Sequence, residues 1–252
     1  MITIVIPTLN EVENIKRLLP DIYKHIRERK EVLVVDGGST DGTREIVDDL
    51  TKERRDLRLI DQEGKGFACA LLTGIKSASG DVIVTMDAEN HLPEDILKMV
   101  DALQRENADV VVGSRFLKGA NVKQEYRRFL PTRIANKFAR AALRLKVKDC
   151  SSGFRAYRAK TVKDILKNMR TEFFSVQVEI LDRIRDADGK MIEVPIHYVK
   201  REEGKSKFKL TPAVKDATTI LKIARDDRIN ELKKKSEKIK VGIKKKFAKG
   251  RS

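Results

Sequence analysis

Four short apolar runs, each followed by a helical stretch, constrain this chain more than any other feature of its sequence. They are ITIVI (2–6), EVLVVD (31–36), DVIVTMD (81–87) and DVVVG (109–113). Between them, apolar residues recur at helical spacing. Ile15, Leu18, Leu19, Ile22 and Ile26 mark one face of a helix from Glu13 to about Arg29, and further helices are expected over Thr43–Arg54, over Phe67–Ser77 and from Pro93 onward. LRLID (57–61) adds a short strand. Nearly continuous apolar strands alternating with helices predict an α/β domain: a Rossmann-like, mostly parallel sheet with helices on both faces. In such sheets the ligand crevice lies beyond the carboxyl ends of the strands.

The second half is less regular. A basic helix is expected over 130–146, with Leu130, Ile134, Phe138, Ala141 and Leu145 on one side. A strand near Gly153–Tyr157, helices near 159–168 and 176–186, and a strand over Met191–Ile196 follow. The loop KREEGKSKFK (200–209) precedes a helix from Pro212 to about Arg225. The division expected is a catalytic domain over 1–210, then a C-terminal helix and basic tail over 211–252.

The formal charge is +16, but it is not spread evenly. Residues 115–148 hold eleven Lys/Arg against one acid, and residues 228–252 hold eleven against two, so the remainder is slightly acidic. In the tail, Ile229, Leu232, Ile239, Ile243 and Phe247 step at nearly helical spacing among lysines. That pattern predicts a basic amphipathic helix on an anionic membrane surface. No run of 18 apolar residues occurs, so a spanning helix is not expected, and MITIVIPTLNE reads as a strand and not as a secretory signal. Cys69 and Cys150 form no metal or disulfide pattern, which suits a reducing compartment. Together these predict a cytoplasmic protein held peripherally on the inner membrane face. A nucleic-acid-binding protein of this charge should interleave aromatics with its basic residues. Aromatics are only 5% of the chain, and Phe247 is the sole one after Phe208, so no nucleic-acid partner is expected.

Three strand ends carry polar clusters. Asp87-Ala88-Glu89 closes the third long apolar run. Two carboxylates there suit a hard cation, Mg²⁺ or Mn²⁺, that bridges to phosphate oxygens. His91 is a candidate third ligand that would favour Mn²⁺. Asp36-Gly37-Gly38-Ser39-Thr40-Asp41-Gly42-Thr43 is a turn into a helix, with Asp41 read as a cap and Asp36 as a ribose or base ligand. Gly64-Lys65-Gly66, before a helix, is a candidate phosphate-facing loop.

PTLNE, DGGSTDGT, GKGFACALLTG, DAE, GSRF (113–116), SSGFRAYR (151–158) and the late R-x-x-G-K-S-K occur in this order. The series resembles family-2 inverting glycosyltransferases of the GT-A fold, nearest the polyprenyl-phosphate branch that includes dolichyl-phosphate mannose synthases. The resemblance implies that Pro7, Leu9, Glu11 and Asp36 border the nucleoside, and that Asp87, Glu89 and His91 lie at the metal. Arg115, Arg127 or Arg128, Arg201 and Lys207 would face the donor diphosphate and the acceptor phosphate. Two departures stand out: Gly37 replaces a second Asp, and Glu89 replaces the second Asp of the metal motif.

The expected activity is metal-dependent transfer of a sugar, mannose or glucose, from a GDP- or UDP-sugar to a polyprenyl phosphate. A phosphate monoester, with a second pKa of about 6, is mostly a dianion at pH 7 and needs no general base. Transfer to a glycan or lipid hydroxyl is the alternative and requires a catalytic carboxylate, with Glu172 or Glu179 as candidates. A sugar-1-phosphate nucleotidyltransferase would carry a Gly-rich first loop with Arg, and the first strand here ends in PTLNE. Whether a membrane-protein partner docks on the tail or on 212–225 is left open by the sequence.

Overall fold

The computed structural model describes residues 1–123, 126–167, 169, 175–199 and 218–226, with the backbone alone over 126–129. The expected strands form one seven-stranded sheet. In chain order they are β1 (Ile2–Thr8), β2 (Lys30–Asp36), β3 (Leu57–Asp61), β4 (Val82–Thr85) and β5 (Val110–Ser114). A two-residue strand β6 (Asn121–Val122) comes next, then β7 (Arg155–Arg158), β8 (Met191–Pro195) and a second two-residue strand β9 (His197–Tyr198). The sheet order is β3-β2-β1-β4-β7-β5-β8, and β7 alone runs antiparallel to its neighbours. Strand β6 pairs with β9 in a separate small ladder.

Burial on both faces explains the near-continuous apolar strands. In β1, Ile4 and Ile6 face one core while Val5 faces the other, and β2 divides Val32 and Val34 from Leu33 and Val35 in the same way. Helices α1 (Val12–His25), α2 (Thr43–Glu53) and α4 (Glu94–Arg105) supply Ile15, Val47 and Ile96 to the first core. Helices α3 (Phe67–Ser77), α6 (Ala159–Leu166) and α7 (Val176–Asp186) cover the other face with Leu71, Val162 and Ile180. Close approach of α3 requires Gly74, since a Cβ there would stand 2.2 Å from Val5 Cγ1.

Two helices differ from expectation. Helix α1 ends at His25, because Ile26 turns extended and buries its side chain fully. The basic helix, α5 (Tyr126–Ala142), begins and ends about a turn earlier than 130–146. Arg144 adopts a positive φ of 52°, and the turn delivers Leu143, Leu145 and Val147 to the core. Leu130, Ile134 and Phe138 instead face solvent, 41, 60 and 43% exposed. Residues 218–226 are helical, and Ile220 and Ile223 join the core cluster that holds Ala139 and Leu143. No helix among the described residues is long and apolar enough to cross a membrane. The loop 200–209 and the tail 228–252 lie outside the described residues.

Candidate active site

The chain runs from β1 outward to β2 and β3, then crosses to β4 on the other side of β1. That reversal opens a crevice beyond the carboxyl ends of β1 and β4. On the β1 side, Pro7 and Glu11 are half-buried and Leu9 is 40% exposed. Asn10, at φ 52°, accepts the Thr40 N–H through Oδ1 at 2.8 Å, while its own N–H donates to Ser39 Oγ at 2.8 Å. The Glu11 N–H donates to Thr43 Oγ1 at 3.0 Å. The ends of β1 and β2 are thereby stitched into one rim.

Asp36 anchors that rim. Its carboxylate accepts from the N–H groups of Gly38 and Ser39, from Ser39 Oγ and from Arg44 Nη1, and its side chain is wholly enclosed. Burial alone would raise its pKa, but the bonds from Ser39, Arg44 and Gly38 outweigh it and hold the group below the usual carboxylate range. Asp36 thus fixes the shape of the ledge at the end of β2. Lys65 is exposed between Gly64 and Gly66, whose φ values of 91° and 90° suit only glycine. The N-cap of α2 is Gly42, which makes no side-chain bond, while Asp41, expected as the cap, stands one residue earlier and accepts from the N–H and hydroxyl of Thr43 and from the Val12 N–H.

Beyond β4, the side chain of Asp87 is 38% exposed and Glu89 is half-buried. His91 lies beneath them, with its ring 4.9 Å from Phe154 and edge-on to Tyr198 at 5.7 Å. Burial pushes the imidazole below its ordinary pKa, against the opposing pull of Asp87. Nδ1 accepts the Asp87 N–H at 3.2 Å, which leaves the proton of the neutral ring on Nε2. In this arrangement His91 holds the backbone of Asp87. Among the described residues, no three His, Cys, Asp or Glu side chains converge as a metal-holding group. Asp87 and Glu89 fit a hard cation that draws its remaining ligands from substrate oxygens and water.

Arg115 reaches the crevice from the end of β5. Its Nε and Nη2 bind Asp149 at 2.8 and 2.7 Å, and its N–H donates to the same carboxylate at 3.0 Å. Nη2 also reaches Ser151 Oγ at 2.9 Å. Burial would lower the guanidinium pKa, but Asp149 more than offsets it, so Arg115 is held charged beside the Tyr198 ring. Asp149 and Tyr198 were not foreseen. Tyr198 arrives on β9, which bridges to His91, and a two-residue strand has no periodicity to betray it. Gly153 packs against Asp87: a Cβ there would stand 3.1 Å from Asp87 Oδ1.

Arg127 and Arg128 fall on the first turn of α5, where only the backbone is described; Arg201, Lys207 and Glu172 lie outside the described residues. Glu179 is fully buried on α7 and paired with Arg183 at 3.1 Å. Arg140 and Arg144 are exposed, and Arg140 Nε donates to the Leu145 carbonyl past the end of α5.

The family profile of Glycosyl transferase family 2 matches residues 3–166. The chain belongs to that family. A polyprenol monophosphomannose synthase of Mycolicibacterium smegmatis is 32% identical over 81% of this chain and 80% of its own length. An undecaprenyl-phosphate mannosyltransferase of Micrococcus luteus is 32% identical over 81% and 86%. A dolichol-phosphate mannosyltransferase of Pyrococcus furiosus is 34% identical over 82% of this chain, which spans 59% of that protein. Among solved structures, a mannosyltransferase of Pyrobaculum calidifontis, in complex with GDP-Man and Mn²⁺, superposes with a TM-score of 0.58 at 24% identity, covering 81% of this chain and 58% of that one. Glucosyl-3-phosphoglycerate synthase of Mycobacterium tuberculosis, in complex with Mn²⁺, UDP and phosphoglyceric acid, superposes with a TM-score of 0.65 at 20% identity, covering 88% and 76%. For this family 2 glycosyltransferase the expected GT-A architecture holds.

Proposed function

We propose that this enzyme transfers a hexosyl group, mannose in the first instance, from a nucleotide diphosphate to a polyprenyl phosphate at a membrane surface. The carrying observation is the carboxylate pair Asp87 and Glu89 at the β1/β4 crevice, in a chain that aligns over most of its length with polyprenyl-phosphate mannosyltransferases. In this reading Pro7, Leu9, Glu11 and the ledge held by Asp36 border the nucleoside. Asp87 and Glu89 would hold Mg²⁺ or Mn²⁺, which would supply charge neutralisation for the leaving diphosphate. His91 fixes Asp87, and Arg115, fixed by Asp149, directs its charge into the crevice. Lys65, Arg127, Arg128, Arg201 and Lys207 are the cations assigned to phosphate.

A phosphate oxygen of the acceptor attacks the anomeric carbon from the face opposite the diphosphate. The new C–O bond forms as the old one breaks, its electron pair leaves with the diphosphate, and the configuration inverts. The nucleophile needs no base. Of the two candidate bases for a hydroxyl acceptor, Glu179 is fully buried and paired with Arg183, and Glu172 lies outside the described residues.

The exposed stripe Leu130, Ile134 and Phe138, beside exposed Arg133 and Lys137, supports peripheral seating on an anionic bilayer. Leu221 on the 218–226 helix is a further exposed apolar side chain, 52% accessible. The inner, cytoplasmic leaflet, an anchoring role for 228–252 and a membrane-protein partner belong to the same proposal. The test is a donor screen with Mn²⁺, comparing a short polyprenyl phosphate with the corresponding alcohol. Nucleoside diphosphate release with the phosphate alone is expected; release with the alcohol alone would reverse the assignment.

A further inference from the structure

Gln177 stands in the first turn of α7, only 3% exposed. Among the described residues, neither end of its amide has a hydrogen-bond partner. The surroundings are otherwise well satisfied. Arg155, fully buried on β7, donates from Nη1 to the Gln177 carbonyl at 2.6 Å, from Nη2 to the Cys150 carbonyl at 2.7 Å and from Nε to the Ser152 carbonyl at 2.8 Å. The backbone of Gln177 is therefore pinned while its amide is left open. Buried polar groups are rarely left so, and one that is calls for a specific reason.

Its position supplies the reason. A Cβ built on Gly153 would lie 3.4 Å from Gln177 Nε2 and 3.1 Å from Asp87 Oδ1. The amide and the strand-end carboxylate thus lie close together on the same side of Gly153, without bonding to each other. An amide offers both a donor and an acceptor. A phosphate only accepts and would leave Oε1 unpaired; a cation would use Oε1 and leave Nε2 unpaired. Sugar hydroxyls donate and accept, as does a water that they would displace, and so complete both ends.

We propose that Gln177 reads hydroxyl groups on the sugar ring of the donor, and that its amide is completed when the nucleotide sugar binds. This rests on the transfer proposed above. The test uses the full chain and Gln177→Met, which keeps the side chain's length and removes both polar ends. In the ligand-free protein the variant should melt at the native temperature or ~2–4 °C above it. Affinity for a bare nucleoside diphosphate with Mn²⁺ should stay within about 2-fold, while kcat/KM for the sugar donor falls roughly 100-fold. Across a series of deoxy-sugar donors, the native protein should lose on the order of 100-fold for at least one, and Gln177→Met should show no further loss for that donor.

A lower melting temperature for the ligand-free variant would overturn the proposal, because the amide would then be bonded without substrate. So would an equal deoxy-sugar penalty in both proteins. Failure of the transfer reading shows differently, as no turnover by the native chain with any donor and phosphate acceptor. The role of Gln177 would still be decided by thermal shifts, which need no acceptor. Nucleotide sugars should shift the native protein further than the bare diphosphate and lose that excess in Gln177→Met; no excess in the native protein overturns the assignment.

Discussion

Gly153→Ala is a small perturbation aimed at the reacting centre. The added Cβ meets Asp87 Oδ1 at 3.1 Å and Gln177 Nε2 at 3.4 Å, so the carboxylate must give by a few tenths of an ångström. Gly153 does not sit at a positive φ, and alanine is therefore tolerated by the backbone. Losing glycine's freedom in the unfolded chain contributes about 0.4–1 kcal/mol of stability. Pressing a side chain away from its rotamer costs about 0.5–1.5 kcal/mol. These nearly cancel, and the melting temperature should move by less than ~4 °C. Catalysis should respond more. A 1 Å misplacement costs roughly 100-fold, so a shift of a few tenths should cost on the order of 10-fold in kcat, about 1.4 kcal/mol of barrier. Nucleoside diphosphate release under saturating Mn²⁺ and donor reads this directly. A variant that melts normally and keeps full kcat would refute the placement of Asp87 at the chemistry. One that fails to fold would refute the stability argument.

Asp149→Asn should destabilise the protein by about 3–5 kcal/mol, because Arg115 keeps a buried charge without its counterion; urea midpoints at pH 7 check this. Asp36 gives a pH test. Its folded pKa lies below the unfolded value of about 3.9, so its stabilisation is fully present above that value and lost as pH falls through the folded one. The stability gap between the native protein and Asp36→Asn should narrow as pH falls from about 5 to 3; a gap independent of pH contradicts it. For the exposed stripe on α5, Ile134→Glu with Phe138→Glu should reduce sedimentation with anionic liposomes and leave turnover of a water-soluble acceptor within about 2-fold. Unchanged sedimentation removes α5 from the membrane contact.

The sheet was legible where one physical pattern governed many residues. Helix α3 falls at its expected bounds because its apolar face is uninterrupted, and β3 does so as an edge strand in which only Leu57 is buried. The basic helix was displaced because its apolar face serves no core: Leu130, Ile134 and Phe138 follow helical spacing yet face outward, while Leu145 packs only after the turn at Arg144. The carboxylates of the crevice could be read from their strand-end position. Their supports could not. Tyr198 arrives on a two-residue strand, Asp149 meets Arg115 across a long sequence separation, and Gln177 is marked only by the bonds it lacks. Asp36 shows the opposite difficulty. Its place in the motif was evident, but only the fold reveals that its own turn consumes its carboxylate.

The central claim is that Asp87 and Glu89 organise transfer from a nucleotide sugar to a phosphate acceptor. The most direct measurement is single-turnover formation of glycosyl phosphate by the native chain and by Asp87→Ala, with Mn²⁺, donor and a polyprenyl phosphate. The account predicts one nucleoside diphosphate released per glycosyl phosphate formed, loss of product on chelating the metal, and no product from a correctly folded Asp87→Ala. Product at the native rate from Asp87→Ala, or after chelation, would contradict it.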